Sequence, residues 1–555
     1  MASVHPKPKS DKIIPLLLVW FFFIVAVEFC SFRIPIPNTL FVSSFTATRS
    51  FIPPRYTKSA STGPHHVIST NKEDDISFLN DILHHERSHP DSGSENHQIF
   101  IGKNKWLGGA IDPSDGTIYG IPSNADSIIC LRPTRKAAEA ANTTSYHEDV
   151  AFGSDANYEI HTIPLPNKIQ KGKFKWLRGI ICKGYLYGIP AWSNDGVLRL
   201  DLQEMWKNYE RKEEHDIITE DGVVSIIPLP EEFLTQKSED RPTRWLWHGA
   251  ALNSNQTAIY CIPSNAHQVL KVDLNEPRCA FLAIPAESNT SKPSTRATKD
   301  VAVASATPLS QTNKWYGGIL GNDNCIYGVP YSASNVLRID ANTDEVTLLG
   351  DYGLNKYNWH GGVKSYRNGC IYCFPAHHSE VLKIDTSQSC GAGERLSLVP
   401  IRRPPYDSDK VTRYKWLGGS VGADGNVYGM PSDASSILRI DTENDIATTF
   451  GIVSGEKNKW QGGVLSRDGI IYAIPSNAKQ ILCIDTAVPS KESDKSASGD
   501  EMKYSFVGNF SPKKDKWQGG FLGLDGSIYC IPENANKVLK VIPQKEIVDT
   551  EIDYL

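Results

Sequence analysis

Two sets of polar residues recur beside tryptophan and proline, and their types suit the binding of sugars or anionic glycans. A lysine directly precedes a tryptophan at Lys105, Lys175, Lys314, Lys415, Lys459 and Lys516. An asparagine follows a proline by two residues at Asn124, Asn265, Asn477 and Asn534. These residues predict a ligand-binding face. A structural interpretation stays open, in which tryptophan packs between repeats and the lysines and asparagines lie in solvated turns.

Departures from the recurring pattern are the stronger functional candidates. His248 and His360 follow tryptophan where other copies have Leu, Gln or Tyr, Arg178 replaces glycine, and His377 belongs to the same copy as His360. Histidines gathered in one pocket could act as acid and base or bind a metal. The sequence has no matching carboxylate pair, nucleophile elbow or His-Glu-x-x-His motif. We therefore predict a binding module without cofactor or metal, with catalysis by His248, His360 and His377 as the alternative.

These residues lie in a module that the chain repeats. Its tryptophans are Trp106, Trp176, Trp247, Trp315, Trp359, Trp416, Trp460 and Trp517. From Trp315 onward the copies are 44 or 57 residues apart, which is typical of four-stranded propeller blades. In one copy the tryptophan is followed by Ile471-Tyr472-Ala473-Ile474-Pro475 and then Ile481-Leu482-Cys483-Ile484-Asp485. Such short β-branched or aromatic runs between Gly, Pro, Asn and Asp predict strands.

Turn residues and a further short run complete each copy. Asp115-Gly116, Asp424-Gly425, Asp468-Gly469 and Asp525-Gly526 predict tight hairpins, where glycine supplies a positive φ. A fourth strand is predicted in 346–350, 448–451 and 504–508, each ending in a glycine nine residues before the next tryptophan. The sequence thus predicts an all-β, eight-bladed β-propeller of four-stranded blades.

The ring needs a closing strand because the last copy has only a weak fourth strand. Residues 98–102 match residues 504–508 but precede the first tryptophan, so we predict that they complete the last blade and remove both open sheet edges. Residues 546–555 are the alternative closing strand.

The repeat resembles the broad superfamily of Kelch-like and quinoprotein-like β-propellers over residues 97–543. The likeness lies in the Ile-Tyr-x-Ile-Pro strand followed by the Val-Leu-x-Ile-Asp strand. It differs from Kelch because Gly-Gly follows tryptophan on the first strand and proline stands where Kelch has Gly-Gly. It lacks the tryptophan-docking consensus, and any recognisable quinone or calcium site, of the quinoproteins. The resemblance therefore implies a fold and no active site.

Composition and the N-terminus point to the secretory pathway. The 555 residues carry a formal charge of −5 and no basic block, which argues against nucleic acid as a partner. Lys7, Lys9 and Lys12 precede an apolar run over residues 13–27. Basic residues followed by an apolar run predict a membrane segment over 13–29. It is either a cleaved signal or, as we favour, a type II anchor that leaves the propeller lumenal or extracellular. A protein or glycan partner is expected there.

The remaining chain divides by composition. We predict a short basic cytosolic tail over 1–12, a low-complexity stalk over 30–95, the propeller over 96–545 and a C-terminal tail over 546–555. A helix is possible within 203–222. Asn142 and Asn289 lie in predicted loops and are candidate glycosylation sites. Cys261, Cys373 and Cys530 are interpreted as small buried strand residues.

Overall fold

The computed structural model of the protein describes residues 76–79, 100–135, 137–138, 158–211, 222–235, 242–285, 310–390, 394–407, 411–487 and 503–543. Strands dominate this part of the chain, and the short helices α1 (Asn167–Gln170), α2 (Leu202–Arg211) and α3 (Glu231–Leu234) lie in connections between them. The helix expected within 203–222 is confirmed by α2. Its Trp206 donates a hydrogen bond from Nε1 to the Tyr119 hydroxyl at 2.8 Å.

The strands form eight four-stranded units, which we call blades 1 to 8 in the order of their tryptophans. Blade 1 has β2 (Trp106–Ile111), β3 (Ile118–Pro122), β4 (Ser127–Pro133) and β5 (Tyr158–Pro164); blade 2 has β6 (Trp176–Cys182), β7 (Tyr185–Pro190), β8 (Gly196–Asp201) and β9 (Val224–Pro228); blade 3 has β10 (Trp247–Leu252), β11 (Ala258–Pro263), β12 (Val269–Asp273) and β13 (Arg278–Leu282). Blade 4 has β14 (Trp315–Leu320), β15 (Cys325–Pro330), β16 (Val336–Asp340) and β17 (Val346–Leu349); blade 5 has β18 (Trp359–Lys364), β19 (Ile371–Pro375), β20 (Glu380–Ile384) and β21 (Leu396–Arg402); blade 6 has β22 (Trp416–Val421), β23 (Val427–Pro431), β24 (Ile437–Asp441) and β25 (Ile446–Phe450). Blade 7 has β26 (Trp460–Leu465), β27 (Ile470–Pro475), β28 (Ile481–Asp485) and β29 (Tyr504–Val507); blade 8 has β30 (Trp517–Leu522), β31 (Ile528–Pro532), β32 (Val538–Val541) and β1 (Ile76–Leu79).

The blades follow one another in a ring that resembles a β-propeller. Within each blade, neighbouring strands pair antiparallel in chain order, apart from the closing strand of blade 8. The first strand of each blade contacts the first strand of the next, and β30 contacts β2. The first strands therefore line the axis. The predicted all-β architecture of four-stranded repeats is confirmed, and so are the predicted fourth strands in 346–350, 448–451 and 504–508.

Each tryptophan holds its own blade together and packs against the preceding blade. The indole nitrogen donates to the carbonyl of the residue that begins the third strand or directly precedes it, as from Trp315 to Asn335 at 2.7 Å. All eight copies make this bond. The Trp315 ring packs in a cluster with Tyr260 and Ile262 of blade 3. The interpretation of tryptophan as a packing residue between blades is thereby supported.

The first strand of every blade is irregular just after its tryptophan. The pairing register shifts between tryptophan and the third residue after it in seven blades, and over a shorter interval, Tyr316 to Gly318, in blade 4. The second residue after tryptophan has a positive φ in every blade, and it is glycine everywhere except Arg178. A bulge with a left-handed residue is a natural place for glycine, which has no Cβ to clash.

Blades 5 and 6 are joined into a single eight-stranded sheet. Their outermost strands, β21 and β25, pair in parallel, with Ile401 opposite Ala447 and Arg402 opposite Thr448. This pairing caps part of two sheet edges that would otherwise face solvent.

The N-terminal side of the chain closes the ring, but the predicted segment is wrong. Strand β1, Ile76–Leu79, pairs antiparallel with β32, with Ile76 opposite Val541 and Leu79 opposite Val538. It comes from within the predicted stalk. Phe100, from the predicted 98–102 strand, instead packs edge-on against the Trp106 ring at 5.2 Å and donates its N–H to the Asn536 carbonyl. The alternative segment 546–555 lies outside the described residues.

Candidate functional site

The lysines before tryptophan are not exposed, so that part of the prediction is wrong. Lys105, Lys175, Lys314, Lys415, Lys459 and Lys516 have only 0 to 4% of their surface accessible. Lys459 Nζ donates to the carbonyls of Ser432, Ala434 and Glu456 at 2.9, 3.0 and 2.7 Å. Two of those carbonyls belong to the preceding blade. A charged group is tolerated inside a protein when its donors are satisfied in this way.

The same ammonium clamp recurs at six of the eight blade junctions. It runs from Lys175 to Ala125, from Lys314 to Ser264, from Lys415 to Ala376 and His378, from Lys516 to Ser476, and from Lys105 to Glu533 and Ala535. Burial lowers the pKa of Lys105, Lys175 and Lys516 to about 8, so these groups remain mostly protonated at neutral pH. At the other two junctions Leu246 and Asn358 stand in the lysine position.

The asparagines after proline also bridge blades. The Asn124 side chain donates to the Lys103 carbonyl of its own blade and accepts the Phe174 N–H of the next, at 2.9 and 2.7 Å. Asn265, Asn477 and Asn534 make the equivalent pair of bonds. Because the side chains of the consensus lysines and asparagines are engaged in these hydrogen bonds between blades, we do not propose them as ligand contacts.

Three of the four departures from the consensus converge, together with Tyr316, which is one of the usual residues after tryptophan. Arg178, His248, Tyr316 and His360 come from blades 2, 3, 4 and 5, and we call them the axial cluster. His248 stacks on the Tyr316 ring with 3.9 Å between centroids and an angle of 2°. The His360 centroid lies 5.2 Å from that of Tyr316 and 6.5 Å from that of His248. Side chains from blades two apart can approach this closely only at the axis of the ring.

The axial cluster holds one cation among neutral rings. Burial lowers the pKa of Arg178 to about 10, still far above neutral pH. Burial and the nearby Arg178 charge lower the pKa of His360 to about 3, and the pKa of His248 lies well below its ordinary value for the same reasons. Burial raises the pKa of the Tyr316 hydroxyl. At neutral pH both imidazoles are therefore uncharged and able to accept hydrogen bonds.

Acid should destabilise the protein through His360. The folded-state pKa of about 3 lies below the ordinary value of 6.5, so the unfolded chain takes up the proton first as pH falls. The contribution of His360 to the free energy of unfolding is therefore complete above about pH 6.5 and is lost as the pH falls toward 3. Replacing His360 by Gln, the residue at the same position in blades 7 and 8, should spare about 3 kcal/mol of this loss at about pH 4.5.

Urea unfolding of wild type and of His360→Gln at neutral pH and at about pH 4.5 measures this effect, and His248 is present in both proteins. If the difference in their free energies of unfolding were the same at the two pH values, the prediction would be wrong.

Aromatic rings that we did not predict from the sequence flank the axial cluster. They replace polar residues at the positions just before the clamp and just after the proline. A tryptophan group comprises Phe174, Trp192 and Trp245, with centroids 4.6 to 5.7 Å apart. A tyrosine group comprises Tyr331, Tyr357 and Tyr414, in which Tyr357 lies 4.8 Å from Tyr331 and 5.7 Å from Tyr414. All of these rings except Tyr331 keep part of their surface exposed.

His377 is not part of the axial cluster. Its ring packs edge-on against Tyr357 at 5.2 Å and Tyr414 at 4.7 Å, so it belongs with the tyrosine group. The predicted trio of histidines is therefore divided between two places, although Tyr331 connects them through contacts with both Tyr357 and His360.

Several buried polar atoms of this region, like others around the ring, have no hydrogen-bond partner among the described residues. They include His248 Nδ1, His360 Nδ1, His377 Nε2, Trp192 Nε1, Ser264 Oγ and Ser332 Oγ. Native proteins leave few such atoms, and those present call for a physical explanation such as a bound molecule. This end of the ring thus combines aromatic faces, unused donors and acceptors, and one cation. It has the chemistry of a binding site.

Other predicted features are outside what the structure describes. The membrane segment 13–29 and the glycosylation candidates Asn142 and Asn289 fall in undescribed stretches. Within the described ranges, no helix is long and apolar enough to cross a bilayer. Also within them, no three His, Cys, Asp or Glu side chains are grouped so as to hold a metal ion. Cys261, Cys373 and Cys530 are buried in strands, as interpreted.

Comparisons with known proteins give a weak likeness only. No protein-family profile matches the chain, and no curated protein matches it. Similar solved structures include selenomethionine-substituted virginiamycin B lyase from Staphylococcus aureus, at 13% identity over 68% of this chain and 94% of that chain, with a TM-score of 0.40. Hydrazine synthase from Kuenenia stuttgartiensis is 10% identical over 81% of this chain and 99% of that chain, with a TM-score of 0.40. The computationally designed Ika8 protein is 6% identical over 80% of this chain and 98% of that chain, with a TM-score of 0.46.

These likenesses are too distant to carry an inference about activity, and neither the Kelch nor the quinoprotein family is shown. The fold assignment rests on the strand pairing and the ring of contacts between blades.

Proposed function

We propose that this protein is a binding module that takes a glycan at the axial end of its ring. The observation that carries the proposal is the replacement of polar consensus residues by partly exposed aromatic rings in the tryptophan and tyrosine groups. Flat aromatic faces pack on the apolar faces of sugar rings, and nearby amides, hydroxyls and imidazoles bond the sugar hydroxyls. A protein partner at this mouth is the competing possibility.

The proposal places the module in the secretory pathway, held at a membrane by residues 13–29. Its support is the run of apolar residues behind Lys7, Lys9 and Lys12, a pattern typical of signal anchors. The sequons at Asn142 and Asn289 agree with a lumenal or extracellular propeller.

Returning an aromatic residue to the consensus should abolish much of the binding without harming the fold. Tyr357 has a φ of 65°, and the equivalent residues Asn104, Asn313 and Asn458 also have a positive φ. Asparagine tolerates this backbone conformation better than tyrosine. We expect Tyr357→Asn to weaken glycan binding roughly tenfold while the melting temperature is unchanged or higher.

A glycan array followed by titration calorimetry on wild type and variant provides the measurement. Tyr366 is the matched control, because it is 50% exposed but lies in the hairpin between β18 and β19, at the other end of the strands. Tyr366→Asn should bind as wild type. Equal losses in the two variants, or none in either, would contradict a glycan site at this mouth.

A lyase or hydrolase is the second candidate, and the neutral imidazoles of the axial cluster favour it. His248 and His360 are uncharged at neutral pH, which is the protonation state that a general base needs, although burial and the Arg178 charge make them weak bases, and the Tyr316 hydroxyl lies in the same group of rings. The same experiment distinguishes the two candidates. If mass spectrometry of the recovered glycan shows cleavage that His360→Gln abolishes, the protein is an enzyme.

A further inference from the structure

Arg178 is the single departure from glycine at one position of the ring. The second residue after tryptophan is Gly108, Gly249, Gly317, Gly361, Gly418, Gly462 and Gly519 in the other blades. Arg178 shares their backbone conformation, with a φ of 67°. A residue with a side chain is strained there by roughly 1–2 kcal/mol. Such strain persists where the surrounding structure enforces it, and it is concentrated at functional sites.

The space around Arg178 is tight as well. A Cβ on Gly108 of blade 1 would lie 3.3 Å from Arg178 Cγ and 3.4 Å from its Cα. Likewise, a Cβ on Gly249 would lie 2.8 Å from the Gly317 Cα. These residues of neighbouring blades are therefore packed side by side around the axis, where only one long side chain is accommodated. That side chain is a guanidinium.

The charge of Arg178 is not matched by an acidic residue. Among the described residues no carboxylate forms an ion pair with it, and the neighbouring Tyr316 hydroxyl is neutral at physiological pH because burial raises its pKa. The other charged or titratable neighbours, His248 and His360, are neutral at physiological pH. A largely enclosed cation without a counterion costs several kcal/mol, a cost that a bound anion would remove.

We propose that Arg178 is the specificity-determining residue of the axial site and that it selects acidic glycans by binding a sugar carboxylate or sulfate. The planar guanidinium can donate two parallel hydrogen bonds to either group. His248 Nδ1 and His360 Nδ1, which find no hydrogen-bond partner among the described residues, lie within the same cluster and could bond neighbouring hydroxyls. The aromatic groups at the mouth then hold the adjoining sugar rings. This inference rests on the proposed glycan-binding function and names its ligand class.

The test compares three probes on the full-length protein: an oligomer of a uronic acid, its neutral methyl ester and a sulfated hexose oligomer. Wild type should bind the uronic acid oligomer or the sulfated oligomer at least tenfold tighter than the ester. The preference should fall with added salt, because it comes from charge. Whether carboxylate or sulfate binds tighter identifies the natural group.

Arg178→Gly restores the residue of the other seven blades and should therefore fold, with a melting temperature equal to or above that of wild type. We expect it to bind the acidic oligomers no tighter than the ester, so that the preference for acidic probes is lost. Arg178→Lys should keep part of the preference, since it keeps the charge and loses the planar fork.

The outcomes separate this inference from the function on which it rests. Equal binding of acidic and neutral probes by wild type, or an undiminished acidic preference in Arg178→Gly, would overturn the role of Arg178 and leave glycan binding intact. Failure of wild type to bind any of the three probes would overturn the proposed function together with this inference.

Discussion

Replacing Lys459 by alanine is expected to lower the free energy of unfolding by about 3 kcal/mol or more. The change deletes three hydrogen bonds from one ammonium group and leaves the carbonyls of Ser432, Ala434 and Glu456 without that donor. A hydrogen bond from a charged donor contributes about 1.5–3 kcal/mol, and the Ser432 carbonyl keeps only the bond from the Lys459 N–H. Because the bonds join blades 6 and 7, the loss also weakens the junction itself. Urea unfolding followed by tryptophan fluorescence measures the effect.

Lys457 is the matched control. It lies two residues earlier in the same loop, is exposed, and uses only its backbone carbonyl, which accepts a bond from Asn477. Lys457→Ala should change stability by less than about 0.5 kcal/mol. Similar stabilities for the two variants would show that the clamp does not hold the blades. A triple replacement of Lys415, Lys459 and Lys516 is therefore a test of folding and does not report on ligand binding.

Removal of the closing strand is expected to have the second large effect. Replacing residues 76–79 by a Gly-Ser sequence of equal length should cost roughly 4 kcal/mol, at about 1 kcal/mol for each of some four ladder hydrogen bonds. It would also expose the edge of β32 to other chains. We expect a lower and broader thermal transition and a tendency to associate, measured by calorimetry and light scattering.

The control makes the same replacement at residues 454–457, which are exposed and contribute the Glu456 backbone carbonyl to the clamp. That variant should melt as wild type does. If the 76–79 variant also melts as wild type and stays monomeric, strand β1 does not close the ring.

The repeat could be predicted because its local rules are strict. Tryptophan, glycine and proline recur where the backbone needs an anchor, a positive φ or the end of a strand, and these needs are the same in every blade. Gly116, Gly425, Gly469 and Gly526 all have φ between 78 and 84°, as the hairpins required. The positions of the strands within each blade could therefore be predicted from these three residue types.

The closing strand could not be predicted in this way. Its sequence, Ile-Ser-Phe-Leu, precedes no tryptophan at the usual distance, and pairing with the far end of the chain leaves no local signature. Residues 98–102 had the right composition, yet Gly102 stands four residues before Trp106, whereas Gly350, Gly451 and Gly508 stand nine residues before theirs. That difference in spacing was the available warning.

The site was predicted only in part, for a physical reason. Lysine before tryptophan suggested an exposed cation because lysine is rarely buried, but its partners here are backbone carbonyls, which no sequence pattern reveals. Departures from the consensus were more informative. They identified Arg178, His248 and His360, and the same comparison applied to the residues before the clamp and after the proline would have found Trp192, Trp245 and Tyr357.

The two junctions without a lysine give the ring a mechanical asymmetry. Between blades 2 and 3, and again between blades 4 and 5, the shared backbone bond remains, from Leu246 N to Ala191 O at 2.8 Å and from Asn358 N to Tyr331 O at 2.6 Å. The ammonium group is missing from both. Blades 3 and 4, tied to each other by Lys314, thus form an arc between two hinges. Because a clamp is absent there, we expect the ring to open first at those junctions, which carry the tryptophan and tyrosine groups, and a bulky ligand to enter beside them.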